Sequence, residues 1–156
     1  MRRTRRNIIL LLASGGGVGF LPYFPGTLGT LIAIPLSLGL NRLAATDAST
    51  AAFALAGLML IAISLADQAA RILGAKDPQI VVIDEIAGFA LANFLTDSMI
   101  GLILAFVLFR FFDIAKVFPA SRLEALPGGA GIVLDDIMAG SYTFLILRLL
   151  SSASLI

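Results

Sequence analysis

Three clusters of charged residues carry the chemistry that this sequence could support. They are Asp84-Glu85, Arg110-x-x-Asp113-x-x-Lys116 and Asp135-Asp136, each at the edge of an apolar run. Charged residues make up only 13% of the chain, yet five of its ten carboxylates fall into these clusters. Adjacent carboxylates repel one another, and removing them from water is costly unless a cation accompanies them. A divalent metal ion is therefore the first candidate partner.

The residue types that are missing narrow the chemistry further. The chain has no cysteine and no histidine, which excludes thiolate and imidazole ligands, cysteine nucleophiles and histidine acid–base catalysis. Oxygen-only ligands select hard cations, above all Mg²⁺ when phosphate is present. The sequence thus predicts an Mg²⁺ cofactor. Its candidate ligands are Asp84, Glu85, Asp113, Asp135 and Asp136.

Each cluster also has a structural interpretation. Acids at helix N-termini complement the helix dipole, which would account for both acidic doublets without a metal. Arg110, Asp113 and Lys116 repeat every three residues, as in a self-paired helix end at a membrane interface. Two doublets and a third acid together favour a shared metal site, with Arg110 and Lys116 binding phosphate oxygens.

Two glycine-rich segments could contact a ligand. Pro25-Gly26-Thr27-Leu28-Gly29-Thr30 leads into a helix start, where free backbone N–H groups bind anions. Gly26, Thr27 and Gly29 are accordingly candidate phosphate-binding residues, although the lysine of a Walker A loop is missing. The second segment, residues 128–131, could follow a ligand or simply turn the chain.

Composition places the chain in or on a membrane. Its mean hydropathy is +1.01 and 59% of its residues are hydrophobic, although a soluble helical protein with an apolar core is the competing interpretation. The length favours a single domain, residues 1–156, with a basic N-terminal segment at 1–14 that would lie beside anionic lipid. A net charge of +1 gives no reason to expect nucleic acid as a partner. A homodimer is left open.

The apolar runs predict an all-α protein. Nineteen uncharged residues, Ala48–Ala66, meet the length of a transmembrane helix. The other apolar runs are shorter. Leu28–Leu40 is interrupted by Pro35, and Ile137–Leu150 is opened by Asp135-Asp136. Between them, Ile86–Thr96 and Ser98–Phe109 form a predicted hairpin with its tip at Asp97. We expect a compact bundle of about five short transmembrane or membrane-embedded helices, plus a re-entrant or interfacial N-terminal segment.

Threading these runs through a bilayer predicts where the charged clusters meet. With the N-terminal arginines inside, Arg71 and Lys76 also fall inside, as positively charged loops usually do. Alternation of the runs then brings all three clusters to the cytoplasmic face and leaves Asp97 outside. Such a site at bilayer depth suits the phosphorylated head group of a lipid, hydrolysed by metal-activated water. A covalent aspartyl-phosphate route is left open.

The ordered motifs resemble those of the phosphatidylglycerophosphatase A family. They are PGTLGTL (Pro25–Leu31), IVVIDEIAGF (Ile80–Phe89), LFRFFDIAKVFPA (Leu108–Ala120) and GGAGIVLDDIMAG (Gly128–Gly140). The resemblance implies an Mg²⁺-dependent phosphatase of the bacterial inner membrane that converts phosphatidylglycerophosphate to phosphatidylglycerol and inorganic phosphate. It implies that Asp84, Glu85, Asp113, Asp136 and Lys116 form the catalytic set.

Two other classes of protein compete with this hypothesis. A small ion-coupled transporter could use the acidic clusters as a cation site, but its acids would lie near the bilayer midplane and on both sides of it. A lipid phosphotransferase would carry acids three and four residues apart through one helix pair, a pattern that this sequence lacks.

Overall fold

Seven α-helices and one 3₁₀ turn make up the computed structural model, which describes residues 3–156. Of the described chain, 76% is helical and no part forms a strand, which confirms the predicted all-α fold. The helices are α1 (Arg3–Ala13), α2 (Pro25–Thr46), α3 (Ala48–Leu73), α4 (Ile83–Ala92), α5 (Met99–Ala115), α6 (Ala120–Leu123) and α7 (Gly129–Ser152), and the 3₁₀ turn is Val18–Phe20.

Helices α2, α3 and α7 are long and apolar enough to cross a membrane. The sequence predicted an interruption at Pro35, but α2 continues through this residue, since an apolar helix packed on its neighbours tolerates the lost hydrogen bond. Helix α3 also runs past Ala66 to Leu73, which gives it 26 residues. Large apolar side chains such as Phe53 and Leu60 are exposed on α3. Exposed apolar surface of this extent suits a lipid environment, so the protein is membrane-associated.

Helix α4 lies at the centre of the bundle and packs against α2, α3, α5 and α7. Its ten residues are about 15 Å long, too short to span a bilayer. Gly88 of α4 meets Gly140 of α7 so closely that a Cβ on Gly140 would lie 2.3 Å from the Gly88 carbonyl oxygen. The absence of a side chain at both positions therefore allows the two backbones to touch, as small residues do in membrane helix pairs.

The two acidic doublets were expected at helix N-termini, and this is correct for one of them only. Asp84 and Glu85 occupy the first turn of α4, as predicted. Asp135 and Asp136 were expected to open the last helix, but α7 begins at Gly129 and places them in its second turn. The reason is close packing, because a Cβ on Gly129 would lie 2.0 Å from a carbonyl oxygen of α3. Compensation of the helix dipole therefore does not explain Asp135 and Asp136.

The opposite end of the bundle carries a polar network that we call the amide end, defined by Asn41, Asn93, Thr96 and Arg148. Asn41 Nδ2 donates to the carbonyl oxygens of Asn93 and Thr96 at 2.8 and 2.7 Å, and Asn41 Oδ1 accepts from the Leu95 N–H at 2.8 Å. Arg148 donates to the Leu95 carbonyl oxygen at 2.7 Å. These bonds hold the turn between α4 and α5 at residues 93–98. The turn contains the predicted tip at Asp97, but α4 ends at Ala92, before the predicted end of its apolar run at Thr96.

The same end includes the short connection between α2 and α3. Asp47 caps α3, because its carboxylate accepts hydrogen bonds from Ser49 and Thr50. The hydroxyls of these two residues and then their backbone N–H groups lower the pKa of Asp47 from 3.8 to about 2. The cap fixes the sharp reversal between the two helices.

Candidate active site

A cavity of ≈ 470 Å³ opens where the first turns of α2 and α4 meet the end of α5. Its wall includes polar side chains and apolar residues of the loop before α2, among them Phe24. All five predicted metal ligands line this cavity together with Gly26 and Lys116. We call the five acids the acidic end; they are Asp84, Glu85, Asp113, Asp135 and Asp136.

Three of these acids form a tight cluster. Carboxylate oxygens of Asp84, Glu85 and Asp136 lie within 4.8 Å of one another. The contact between Gly88 and Gly140 explains this geometry, because each glycine follows an acid of the cluster by four residues on the same helix face. A Cβ on Gly88 would itself lie 2.7 Å from the Asp136 carbonyl oxygen. Helix packing thus forces like charges together.

The acidic end has the properties of a site for a hard cation. Asp84 Oδ1, Glu85 Oε2 and Asp135 Oδ1 are buried, and none has a hydrogen-bond partner within the described chain. Buried acceptors are normally paired, and repelling carboxylates are stable in their charged form only beside a positive charge. An oxygen-liganded divalent cation would satisfy both requirements. The residues present therefore fit a metal cofactor of the hard type.

Arg110 orients two acids of the acidic end, Asp113 and Glu85. Its guanidinium forms an ion pair with Asp113, and its Nη1 lies 4.0 Å from Glu85 Oε1. The start of α2 covers this arrangement, since a Cβ on Gly26 would lie 2.1 Å from Glu85 Oε1 and 3.2 Å from Arg110 Nη1. Only a glycine at position 26 leaves Glu85 its present position.

Lys116 and Asp135 form a second charged group on the cavity wall. Lys116 ends α5 in a left-handed conformation with φ 44°, and its Nζ lies 2.8 Å from both Asp135 Oδ2 and Glu124 Oε1. Burial disfavours the ammonium, but the hydrogen bonds and negative charges of Asp135 and Glu124 outweigh it and raise the pKa of Lys116. The cavity therefore keeps a positive charge beside the three-acid cluster.

The structure separates the predicted phosphate-binding residues. Gly26 and Lys116 line the cavity, whereas Arg110, Thr27 and Gly29 are not part of its lining. A Cβ on Gly29 would lie 2.9 Å from Val82 Cβ, so this glycine permits packing of α2 against the start of α4.

Sequence reasoning missed several residues of the site. Asp77 and Gln79, in the loop between α3 and α4, line the cavity but stand in no recognisable motif. Gly88 and Gly140 left a usable signal. Each follows an acid by four residues in an apolar helix, so each glycine lies on the same helix face as that acid.

Known proteins resemble this chain over most of its length. The family model Phosphatidylglycerophosphatase A matches residues 11–151. A Bacteroides thetaiotaomicron protein named "Putative phosphatidylinositol-3-phosphatase" is 34% identical, over 88% of this chain and 90% of its own. A Haemophilus influenzae protein named Phosphatidylglycerophosphatase A is 35% identical, over 90% of this chain and 86% of its own. A protein of the same name from Escherichia coli K12 is also 35% identical, over 83% of this chain and 76% of its own.

No solved structure matches the chain. The matched region contains all three charged clusters and the glycine contact between α4 and α7. A family of phosphatases accounts for a cavity that combines clustered acids with a lysine, and it disfavours the transporter hypothesis. The chain belongs to the phosphatidylglycerophosphatase A family and is a phosphatase of lipid metabolism.

Proposed function

We propose that this protein hydrolyses the terminal phosphate monoester of phosphatidylglycerophosphate and uses Mg²⁺ as its cofactor. The observation that carries the proposal is the cluster of Asp84, Glu85 and Asp136, whose oxygens lie within 4.8 Å of one another in a cavity that also holds Lys116. The names of the relatives from Haemophilus influenzae and Escherichia coli support the same substrate.

The side chains divide the work as follows. Asp84, Glu85 and Asp136 would hold the ion, with Asp113 and Asp135 completing the acidic wall. When bound, a divalent cation neutralises phosphate charge and lowers the pKa of a bound water. Lys116 supplies a point charge for a phosphate oxygen, and Arg110 keeps Asp113 and Glu85 in their orientation.

A phosphate-release assay on the purified protein tests this function. With phosphatidylglycerophosphate in mixed micelles, we expect release in Mg²⁺ and none after chelation, with recovery when Mg²⁺ is returned. Absence of release in Mg²⁺ would refute the substrate, and release that survives chelation would refute the cofactor.

The name of the Bacteroides relative makes phosphatidylinositol 3-phosphate the second substrate to assay beside phosphatidylglycerophosphate. Phosphatidylinositol 3-phosphate is also a lipid phosphomonoester, but its phosphate is attached to a bulky ring. Parallel assays with equal micelle concentrations should give a larger kcat/KM for phosphatidylglycerophosphate. The reverse order would assign this chain to the activity named for that relative.

We also propose that the protein spans the bacterial inner membrane several times with the acidic end facing the cytoplasm. The exposed apolar faces of α2, α3 and α7 support a multi-pass arrangement, and the basic residues near the acidic end support the orientation. Since the sequence has no cysteine, single variants Lys76→Cys and Asp97→Cys can be labelled without background. An impermeant maleimide should reach only Asp97→Cys in intact spheroplasts and only Lys76→Cys in inverted vesicles.

A further inference from the structure

An apolar cleft of ≈ 190 Å³ lies between α2 and α5, outside the acidic cavity. Every side chain that lines it is a hydrocarbon. These residues are Leu31, Ile34, Leu102, Ile103, Phe106 and Val107. Leu31, Ile103 and Val107 are more than half exposed, so the cleft is open along the outer surface of the bundle.

The packing of the bundle explains why the cleft exists. Helix α2 packs mainly on α4, and α5 packs mainly on α7, while direct contact between α2 and α5 is slight. The short helix α4 lies behind both. The two longer helices therefore form walls that stand apart in front of α4, and their apolar side chains leave the space between them unfilled.

The cleft runs toward the acidic cavity along both of its walls. On α2, Leu31 follows the cavity residue Gly26 by five residues, or about 7.5 Å of helix. On α5, Val107 and Ile103 precede the cavity residue Asp113 by six and ten residues, or about 9 and 15 Å. The apolar space thus begins less than about 10 Å from the acids and leads away from them.

We propose that this cleft holds an acyl chain of the lipid substrate while the terminal phosphate lies in the acidic cavity. The inference rests on the proposed function and adds where the diacylglycerol part of the substrate binds. The order of chemistry along the walls matches that of a phospholipid, with the hydrocarbon cleft first and the acids with Lys116 last. The helix rise of about 9 Å between Val107 and Asp113 leaves room for a glycerol backbone and head group.

Tryptophan fluorescence tests occupancy independently of catalysis. The sequence contains no tryptophan, so Ile103→Trp places a single fluorophore in the cleft. Leu60→Trp is the matched control, since Leu60 is exposed on α3 and lies outside the cleft. In micelles with a small fraction of phosphatidylglycerol brominated in its acyl chains, we expect stronger quenching for Ile103→Trp than for Leu60→Trp. Equal quenching would overturn the proposal.

A chain-length comparison tests the contribution of the cleft to turnover. Val107→Trp fills the cleft. We measure kcat/KM for phosphatidylglycerophosphate with long acyl chains and with six-carbon acyl chains, and expect the variant to reduce the ratio of the first to the second by about tenfold. This is the loss expected when roughly two methylene groups leave an apolar site. Leu60→Trp should preserve the ratio. An unchanged ratio for Val107→Trp would refute the cleft, whereas no release from either lipid by the unmodified protein would refute the proposed function instead. Conversion of a dimer to a monomer by Val107→Trp would assign the cleft to a second copy of the chain.

Discussion

At the amide end, Asn41 uses both atoms of its amide to hold the turn between α4 and α5, and Arg148 binds a carbonyl oxygen of the same turn. At the acidic end, Asp84, Glu85 and Asp136 face one another, and buried oxygens of Asp84 and Glu85 have no partner in the described chain. Both ends bury polar side chains in an apolar bundle. At the amide end the polar side chains mainly form hydrogen bonds with backbone groups. At the acidic end the side chains bring like charges together.

The comparison distinguishes polar side chains that stabilise the fold from polar side chains that are kept for function. Amide hydrogen bonds to free carbonyl groups stabilise helix ends, so a protein gains stability from residues such as Asn41. Clustered carboxylates cost stability until a cation arrives, so they persist only if they serve another purpose. We therefore expect substitutions at the two ends to change different quantities.

The largest effect should follow from Asp136→Asn at the acidic end. An amide keeps the shape but removes a negative ligand, and the loss of several kcal/mol of charge stabilisation corresponds to about 1,000-fold or more in phosphate release. With the metal chelated, the melting temperature in detergent should stay the same or rise, because one repelling charge is gone. Asp97→Asn, at an exposed acid outside the cavity, should change neither quantity. A large fall in melting temperature for the metal-free Asp136→Asn variant would assign this acid a structural role.

A smaller loss is expected from Gly26→Ala. The added methyl would displace the movable carboxylate of Glu85 without touching the backbone of another helix, so activity should fall by about 10- to 100-fold with little change in melting temperature. Gly39→Ala on the same helix is the matched control, because a Cβ there has no neighbour within 4 Å. Comparable losses in both variants would show that α2 responds to alanine in general and not at the acidic end.

Asn41→Ala should show the opposite behaviour. It removes two donated hydrogen bonds and one accepted bond at the turn between α4 and α5, at an expected cost of about 1–3 kcal/mol in the free energy of unfolding. Phosphate release per folded molecule should be retained. Denaturation in detergent gives the first quantity and the assay gives the second. A selective loss of activity in a fully folded variant would contradict the division between the two ends.

The smallest effect concerns the helix cap at Asp47. The pKa of Asp47 is lowered to about 2 from 3.8 by its hydrogen bonds, so the folded state favours the ionised form. Its contribution is therefore complete above pH 3.8 and disappears as the pH falls through about 2. Asp47→Ala should lower the melting temperature at pH 5, and the difference from the unmodified protein should diminish toward pH 2. A difference that persists unchanged at pH 2 would exclude the ionised cap as its cause.

The sequence predicted the acidic end better than the elements that form it. Run lengths and alternation brought the acids to one end of the bundle, because apolar helices of this size have few ways to cross a bilayer. The predicted start of α7 was wrong by several residues. Glycine has a poor helix propensity, but the close contact of Gly129 with α3 overcomes it, so the helix begins there. The cavity residues Asp77 and Gln79 could not be predicted, because their position depends on the path of a loop.

The contact between Gly88 and Gly140 has a consequence for the choice of ion. Asp84 and Glu85 share α4, so only the separation of α4 from α7 sets their distance to Asp136. Mg²⁺ requires oxygens at about 2.0–2.1 Å, whereas Ca²⁺ accepts about 2.3–2.6 Å and more ligands. A methyl group on either glycine would push the helices apart and favour the larger ion. Discrimination between the two alkaline-earth cations would then depend on two residues that contribute no ligand.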